Sequence, residues 1–304
     1  MAYVVINEWM IHLLIDRITF RYALNAIDFK LCTQILYRLR AEGLVTYPYR
    51  STYKNIEYVR AKMVLHRFRG VAVSLYNGYG HRGIEFNWSP RDINVETVSC
   101  LTRLLDSFFV GGIQQLVAHG NIRYVEIAAD IAGARANDYL IAHTRSLHPH
   151  LHYNPRDGSQ TQYLGALKSH KRICMYDKKK ELKKRHAYIA RDELLRVEAR
   201  LRQSITYEEF VRLPNPFAML ELSSLADART LDDAEIWQDF LNRCDESGAQ
   251  EALGFYGDHR KRQFKQRLRQ TRPEWANFDA IWGAWPEVVR EFEQAMTGTA
   301  TSLD

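Results

Sequence analysis

Three short runs in the middle of the chain alternate apolar and polar residues with a period of two, the pattern of strands whose successive side chains point to opposite faces. They are Thr161–Ala166, Arg172–Asp177 and Leu195–Arg202. Arg172, Cys174, Tyr176 and, by continuation, Lys178 share one face of the second run, with Ile173 and Met175 opposite. In the third, Arg196, Glu198, Arg200 and Arg202 face away from Leu195, Val197, Ala199 and Leu201. The pattern predicts a sheet with an aliphatic dry side and a wet side that gathers a tyrosine, a carboxylate and several cations. The same alternation predicts strands over Leu13–Tyr22, Val71–Asn77, Gly83–Trp88 and Arg123–Ile131, and a β-rich passage over Ile56–Arg69. The glycines of NGYGHRG mark a hairpin turn.

Helical spacing takes over elsewhere. Asp28–Ala41 repeats Phe29, Cys32, Ile35, Leu36 and Leu39 and stops at Gly43, and Val95–Phe109 is amphipathic up to Gly111-Gly112. Ala134–His148 is expected to be a helix, followed by a polar connection, His148–Ser159. After Arg202 the chain reads as helices: Tyr207–Leu213, Pro216–Leu225, Asp232–Cys244, Asp258–Arg272, and Phe278–Met296 with a break near Pro286. The fold class expected is α+β, an antiparallel sheet with packed helices followed by an α-helical C-terminal region. A boundary near Ser204–Asn215 divides a sheet domain, residues 10–203, from a smaller basic helical domain, 215–297, with a frayed tail at 298–304.

Composition sharpens this picture. A chain of 304 residues with 46% hydrophobic content can bury a full core. The net charge of +6 is unevenly placed: Lys168 to Arg202 carries thirteen Lys and Arg against five Asp and Glu, a local excess of eight. Such a block is either a solvated basic face or a surface for a polyanion, nucleic acid before anionic membrane. The helix Asp258–Arg272 adds Arg260, Lys261, Arg262, Lys265, Arg267 and Arg269 around an apolar seam of Phe264 and Leu268, a pattern suited to phosphate contacts. Cys32, Cys100, Cys174 and Cys244 fit no zinc spacing and are expected to be reduced thiols. The apolar opening is broken by Asn7, Glu8, His12 and Asp16, so neither a signal peptide nor a membrane span is expected there.

Candidate chemistry follows from the faces. Glu126 and Asp130 share one face of a strand flanked by apolar residues, which is costly unless they are solvated, paired or bound to a metal. A phenol such as Tyr176 is a poor nucleophile at neutral pH and needs cations or a metal beside it, a field that Lys178 and Arg172 can supply. Each has a plainer alternative: a strand tyrosine, a surface ladder of Glu198 with Arg196 and Arg200, or solvated lysines over Lys178–Lys184.

The order of these elements resembles the rolling-circle replication initiators of filamentous phages (the gene II protein family) and of staphylococcal-type plasmids. Those proteins carry a YhG strand, a basic strand ending in hYxKxxE and a strand hRhExRL, where h is hydrophobic. The matching residues are Tyr163-Leu164-Gly165, Met175 to Glu181, and Leu195 to Leu201. Arg123–Asp130 is similar to the family's R-x-D-h-x-x-D element, with Glu126 where an Asp is usual. The resemblance covers Arg123–Arg202 well, the N-terminal strands in outline and the C-terminal helices not at all.

This resemblance implies an HUH-like sheet and a metal-dependent endonuclease that nicks and rejoins origin DNA through a 5′-phosphotyrosyl link. By position, Tyr176 matches the nucleophile, assisted by Lys178 and Arg172, and Glu126, Asp130 and Glu198 match the acidic ligands of Mg²⁺ or Mn²⁺. Lys168, Lys171, Lys179, Lys180, Arg196, Arg200, Arg260, Arg262, Lys265, Arg267 and Arg269 are the expected DNA-binding cations. The implied partners are origin DNA, both duplex and locally unpaired, with host helicase and polymerase, and a dimer as an assembly; no membrane is involved and the setting is bacterial cytoplasm. The competing readings are a non-cleaving DNA-binding initiator or repressor on the same scaffold, and a phosphodiesterase or RNA-processing enzyme using the carboxylates and water. His150-Leu151-His152 spells the His-hydrophobe-His pattern of HUH nucleases, but Pro149 and Pro155 flank it and it reads as a loop. Tyr188 is the substitute nucleophile.

Overall fold

The computed structural model describes residues 2–46, 48–53, 56–62, 71–90, 95–143, 149–154, 159–184, 193–247 and 249–297. In chain order the first elements are β1 (Tyr3–Ile6), β2 (Trp9–Ala23), α1 (Ala26–Ala41), β3 (Tyr49–Tyr53), β4 (Ile56–Lys62), β5 (Ala72–Gly78), β6 (His81–Trp88), α2 (Val95–Phe108), α3 (Gly112–His119) and β7 (Asn121–Ala132). A 3-10 turn, Ala136–Asp138, leads to β8 (Tyr139–His143), β9 (Pro149–Asn154), β10 (Ser159–Leu164), β11 (Lys171–Asp177), α4 (Lys178–Lys184) and β12 (Leu194–Leu201). Then come α5 (Tyr207–Val211), β13 (Leu220–Ser224), α6 (Leu225–Leu231), α7 (Glu235–Ser247), α8 (Ala249–Gly254), α9 (Asp258–Gln270), α10 (Phe278–Trp282) and α11 (Trp285–Thr297). The fold is α+β. The main sheet runs β3-β4-β5-β6-β2-β7-β12-β11-β10-β9 with β1 paired to β2, and β13 with β8 forms a second, two-stranded sheet. Among the described residues no helix is long and apolar enough to cross a membrane.

The chain divides into two compact units, and the division falls inside β2, after Leu14, and inside β7, after Glu126. One unit comprises Ile15–Glu126, Arg202–Leu213 and Pro286–Asp304. Its strands pair antiparallel in the spatial order β4-β5-β6-β2. Alternate residues turn Val59, Val73, Leu75, Ile84, Phe86, Ile18 and Phe20 into a buried face, with Leu36 and Leu39 of α1 and Leu104 and Leu105 of α2 also buried. Phe20 stacks on Trp88 at 5.4 Å, and Phe86 meets Phe108 edge-on at 5.6 Å. Each such side chain contributes roughly 1.5–3 kcal/mol on burial. Asn25 caps α1 by accepting the Asp28 N–H, and the β5–β6 turn puts Tyr79 (φ 51°) and Gly80 (φ 77°) in the left-handed region that a tight hairpin of this hand demands.

The other unit comprises Met1–Leu14, Ile127–Leu201 and Pro214–Trp285. Here β9, β10, β11 and β12 form an antiparallel run. The helix expected over Ala134–His148 is instead the 3-10 turn and β8, and the one expected over Pro216–Leu225 is β13. The two misread segments are each other's partner: β8 and β13 pair antiparallel from Leu220↔His143 to Ser224↔Tyr139. The other edge of β8 is met by Gln162 of β10, whose Oε1 accepts the Ile141 N–H at 3.0 Å and whose Nε2 donates to the Tyr139 carbonyl at 2.6 Å. The passage expected as a loop around His150 is strand β9.

The helices α6 to α10 therefore group with β8 to β12, and the residues of α11 from Pro286 onward belong to the first unit. Leu140 of β8 shares a buried cluster with Trp237, Phe240, Leu241 and Cys244 of α7 and Phe264 and Leu268 of α9. Without β8, that cluster would lie open on one side. The expected tail, 298–304, lies outside the described residues.

Candidate active site

The register of β10, β11 and β12 assembles the central chemistry. Tyr176 lies opposite Arg196, Cys174 opposite Glu198, and Arg172 opposite Arg200, with Thr161 and Tyr163 of β10 continuing the rows beside Tyr176 and Cys174. Directly opposed residues of a sheet share a face, so these side chains form one polar layer. The layer is not the solvated face that the alternation implied. Arg196, Glu198 and Cys174 are buried as completely as Val197 and Met175 on the other side. A buried polar layer survives only if its groups satisfy one another, and this one largely does.

Glu198 is the hub. Its Oε2 accepts from the Tyr176 hydroxyl at 3.0 Å, and its Oε1 accepts from Arg200 Nε at 2.6 Å and from the Cys174 thiol at 3.7 Å. Burial raises the Tyr176 pKa far above the ordinary phenol range, the Glu198 charge raises it further, and Arg196 draws it down only in part. The phenol is therefore held protonated, with its proton directed at a carboxylate oxygen. Lys178 opens α4, is itself buried, pairs with Glu181 and lies 5.8 Å from the centre of the Tyr176 ring. The Arg172 guanidinium stacks on Tyr163 at 3.8 Å, and its buried Nε has no hydrogen-bond partner among the described residues. Gly165, at the end of β10, adopts φ 99°, and a Cβ there would lie 2.8 Å from the Lys171 carbonyl oxygen, so the turn into β11 requires glycine.

The two carboxylates of β7 have different surroundings. Asp130 receives Arg196 in a bidentate pair, Nε to Oδ1 at 2.5 Å and Nη2 to Oδ2 at 2.6 Å, which departs from the metal-ligand role expected for Asp130 and the DNA contact expected for Arg196. A guanidinium with no exposed surface is closed to a phosphate backbone. Glu126 accepts a short hydrogen bond from the Tyr124 hydroxyl and lies 3.8 Å from Arg17. Within one unit, donor oxygens of Asp16 and Glu126 lie within 4.8 Å of one another. Like charges this close repel unless a cation or protons compensate. Carboxylates with no nitrogen or sulfur donor suit a hard divalent cation such as Mg²⁺ or Mn²⁺. Asp16 was missed by sequence reasoning; the available signal was a lone acid inside the apolar strand run LLIDRITF.

The remaining expected cations scatter. Lys168 is exposed, Lys171 and Lys180 are half-buried, and Lys179 lies 3.9 Å from Glu193. On α9, Phe264 and Leu268 face the core as the spacing predicts, and Arg260, Arg262 and Lys265 are exposed. Arg269 pairs with Glu221 at 2.9 Å, and Arg267 pairs with Asp232. The side chains of His150 and His152, and all of Tyr188, lie outside the described residues.

The fold and this layer define an α+β protein with a buried tyrosine–carboxylate–arginine site. No protein-family model and no curated protein sequence matches the chain. Among solved structures it is similar to a rolling circle replication initiator protein from Geobacillus stearothermophilus, at 14% sequence identity and a TM-score of 0.41, over 79% of this chain and 98% of that one.

Proposed function

We propose that this chain is a nicking-and-joining endonuclease that initiates rolling-circle replication at an origin, with Tyr176 as nucleophile. The observation that carries the proposal is the hydrogen bond from the Tyr176 hydroxyl to Glu198 within a layer that also holds Arg172 and Arg200. The residues of that layer are those on which the sequence resembles the initiators. In the reaction proposed, the Tyr176 oxygen attacks phosphorus as its proton passes to Glu198 Oε2, a base already in hydrogen-bonding distance. The P–O3′ bond breaks, the 3′-oxygen takes up a proton to become a hydroxyl, and the phosphate remains on Tyr176 as a 5′-phosphotyrosyl ester. Arg172 and Arg200 donate to the non-bridging oxygens as their charge grows. Rejoining is the reverse, with a 3′-hydroxyl as the attacking group. Asp16 and Glu126 would hold the divalent cation, which when bound supplies charge neutralisation at the phosphate.

One observation favours the second reading, a non-cleaving DNA-binding initiator or repressor: burial and Glu198 hold the phenol firmly in its unreactive, protonated form. Covalent trapping decides between them. Supercoiled plasmid carrying the DNA that flanks this protein's own coding sequence is incubated with the full chain and Mg²⁺ or Mn²⁺, then resolved under denaturing conditions. Nicked circles with protein on the 5′ end, absent for Tyr176→Phe, support the nuclease. DNA binding with no adduct in either protein supports the repressor. An adduct mapped to another tyrosine retains the activity and rejects Tyr176.

A further inference from the structure

We infer that the β3–β4 edge of the β3–β6 unit's sheet is a docking surface for single-stranded nucleic acid, with bases stacking on Tyr49, Tyr53, Tyr58 and Arg60. Two rows of opposed residues run from that edge: Ser51, Tyr58, Tyr76 and Gly83 in one, and Tyr49, Arg60, Ser74, Glu85 and Arg21 in the next. The reverse side of these strands is the apolar core. Within the rows Tyr76 and Gly83 are buried too, Tyr58, Arg60, Ser74, Glu85 and Arg21 are half-buried, and exposure rises toward the edge strand. That edge is aromatic and cationic, where a solvent-facing strand is ordinarily surfaced by small polar and charged residues. Tyr49 and Tyr53, on the edge strand, are 50% and 62% exposed.

The geometry is that of stacked planes. Arg60 lies over the Tyr58 ring at 4.3 Å and Arg21 over the Tyr76 ring at 4.6 Å. Tyr76 lies flat because its neighbour is glycine: a Cβ on Gly83 would fall 2.3 Å from the Tyr76 hydroxyl oxygen and 2.6 Å from the ring carbon that bears it. Glu85 holds the Arg21 guanidinium from the side. A guanidinium plane and a phenol ring each accept any base through its π-face.

Charge complementarity selects the partner. In these rows and their continuation to Lys62, Glu85 is the sole carboxylate against Arg21, Arg60 and Lys62. Flat π-surfaces beside cations match unpaired bases joined by phosphates. A duplex, whose base faces are occupied, can use only the cations. The surface is independent of the Tyr176 chemistry and holds whether or not the protein cleaves DNA.

The test is fluorescence anisotropy with a labelled oligothymidylate and the full chain in EDTA, where nicking does not interfere. Tyr58→Ala with Arg60→Gln should weaken binding by roughly tenfold or more, as loss of a stacking side chain does, with a salt slope shallower by about 0.7 for the missing cation. Tyr49→Ala with Tyr53→Ala, both on the exposed edge strand, should weaken binding with an unchanged slope. The second pair keeps the test valid if the first variant fails to fold. Wild-type affinity in a folded first variant and in the edge variant overturns the inference. So does a duplex of equal length that competes as well as the single strand, because the face then reads phosphate alone.

Discussion

Asp130→Asn separates a structural carboxylate from a metal ligand. Asp130 accepts two hydrogen bonds from a guanidinium that has no exposed surface, at 2.5 and 2.6 Å, and its own side chain is 13% exposed. An asparagine keeps one acceptor but turns an amide donor toward the other guanidinium nitrogen and leaves the Arg196 charge buried without its counterion. Removing one partner of a buried ion pair costs about 3–5 kcal/mol. At about 2–4 °C per kcal/mol for a domain of 150–250 residues, the melting temperature should fall by roughly 6–20 °C. Thermal melting followed by circular dichroism measures it. Asp130→Leu combined with Arg196→Met should recover most of the loss, because an apolar pair of similar volume removes both desolvation penalties. The reasoning fails if Asp130→Asn melts like the wild type while nicking is lost and returns at raised Mn²⁺; Asp130 would then be a ligand and Arg196 its counter-charge.

Four further outcomes are expected. Glu198→Gln should reduce adduct formation about 10²–10⁴-fold by removing the proton acceptor, with DNA affinity in EDTA nearly unchanged; loss of affinity equal to the loss of nicking would make Glu198 a binding residue instead. The Tyr176 phenol has a folded pKa raised above its unfolded value, so its contribution to stability is complete below about pH 10 and is lost as pH rises past that toward the folded pKa. Accordingly, alkaline difference absorbance should show the same number of phenols titrating near pH 10 in folded wild type and Tyr176→Phe, and Tyr176→Phe should tolerate high pH better. Ending the chain at Leu213 removes β13 and the described helical residues that share a buried cluster with Leu140, so the product should be protease-sensitive and poorly folded; a soluble, cooperatively melting fragment would support a separable C-terminal domain. On the intact chain, Arg262→Gln with Lys265→Gln should instead test α9 directly, lowering the salt slope of duplex binding by about 0.9 for each phosphate that is no longer neutralised.

What the sequence determined was local. Alternation located β2, β5, β6, β7, β11 and β12, and the apolar spacing located α1, α2 and α9 with Phe264 and Leu268 inward, because in those segments one face meets the core and burial imprints its own period. The shared face of Arg172, Cys174 and Tyr176 with Arg196, Glu198 and Arg200 was likewise readable, since strand geometry fixes which side chains are neighbours once the pairing is made. Whether that face was wet was not readable. Its burial depends on Arg196 meeting Asp130, sixty-six positions away, and on Glu198 gathering a phenol, a thiol and a guanidinium. The same holds for β8 and β13, whose strand character resides in a pairing between segments roughly eighty residues apart and leaves only a weak mark on either segment. Asp16 joins Glu126 through strand order, which no spacing along the chain records. Nor could a contiguous boundary describe units assembled from three segments each. Propensity and period are properties of neighbours in sequence, whereas the satisfaction of buried charge is a property of neighbours in space, and only the folded chain brings those partners within hydrogen-bonding distance.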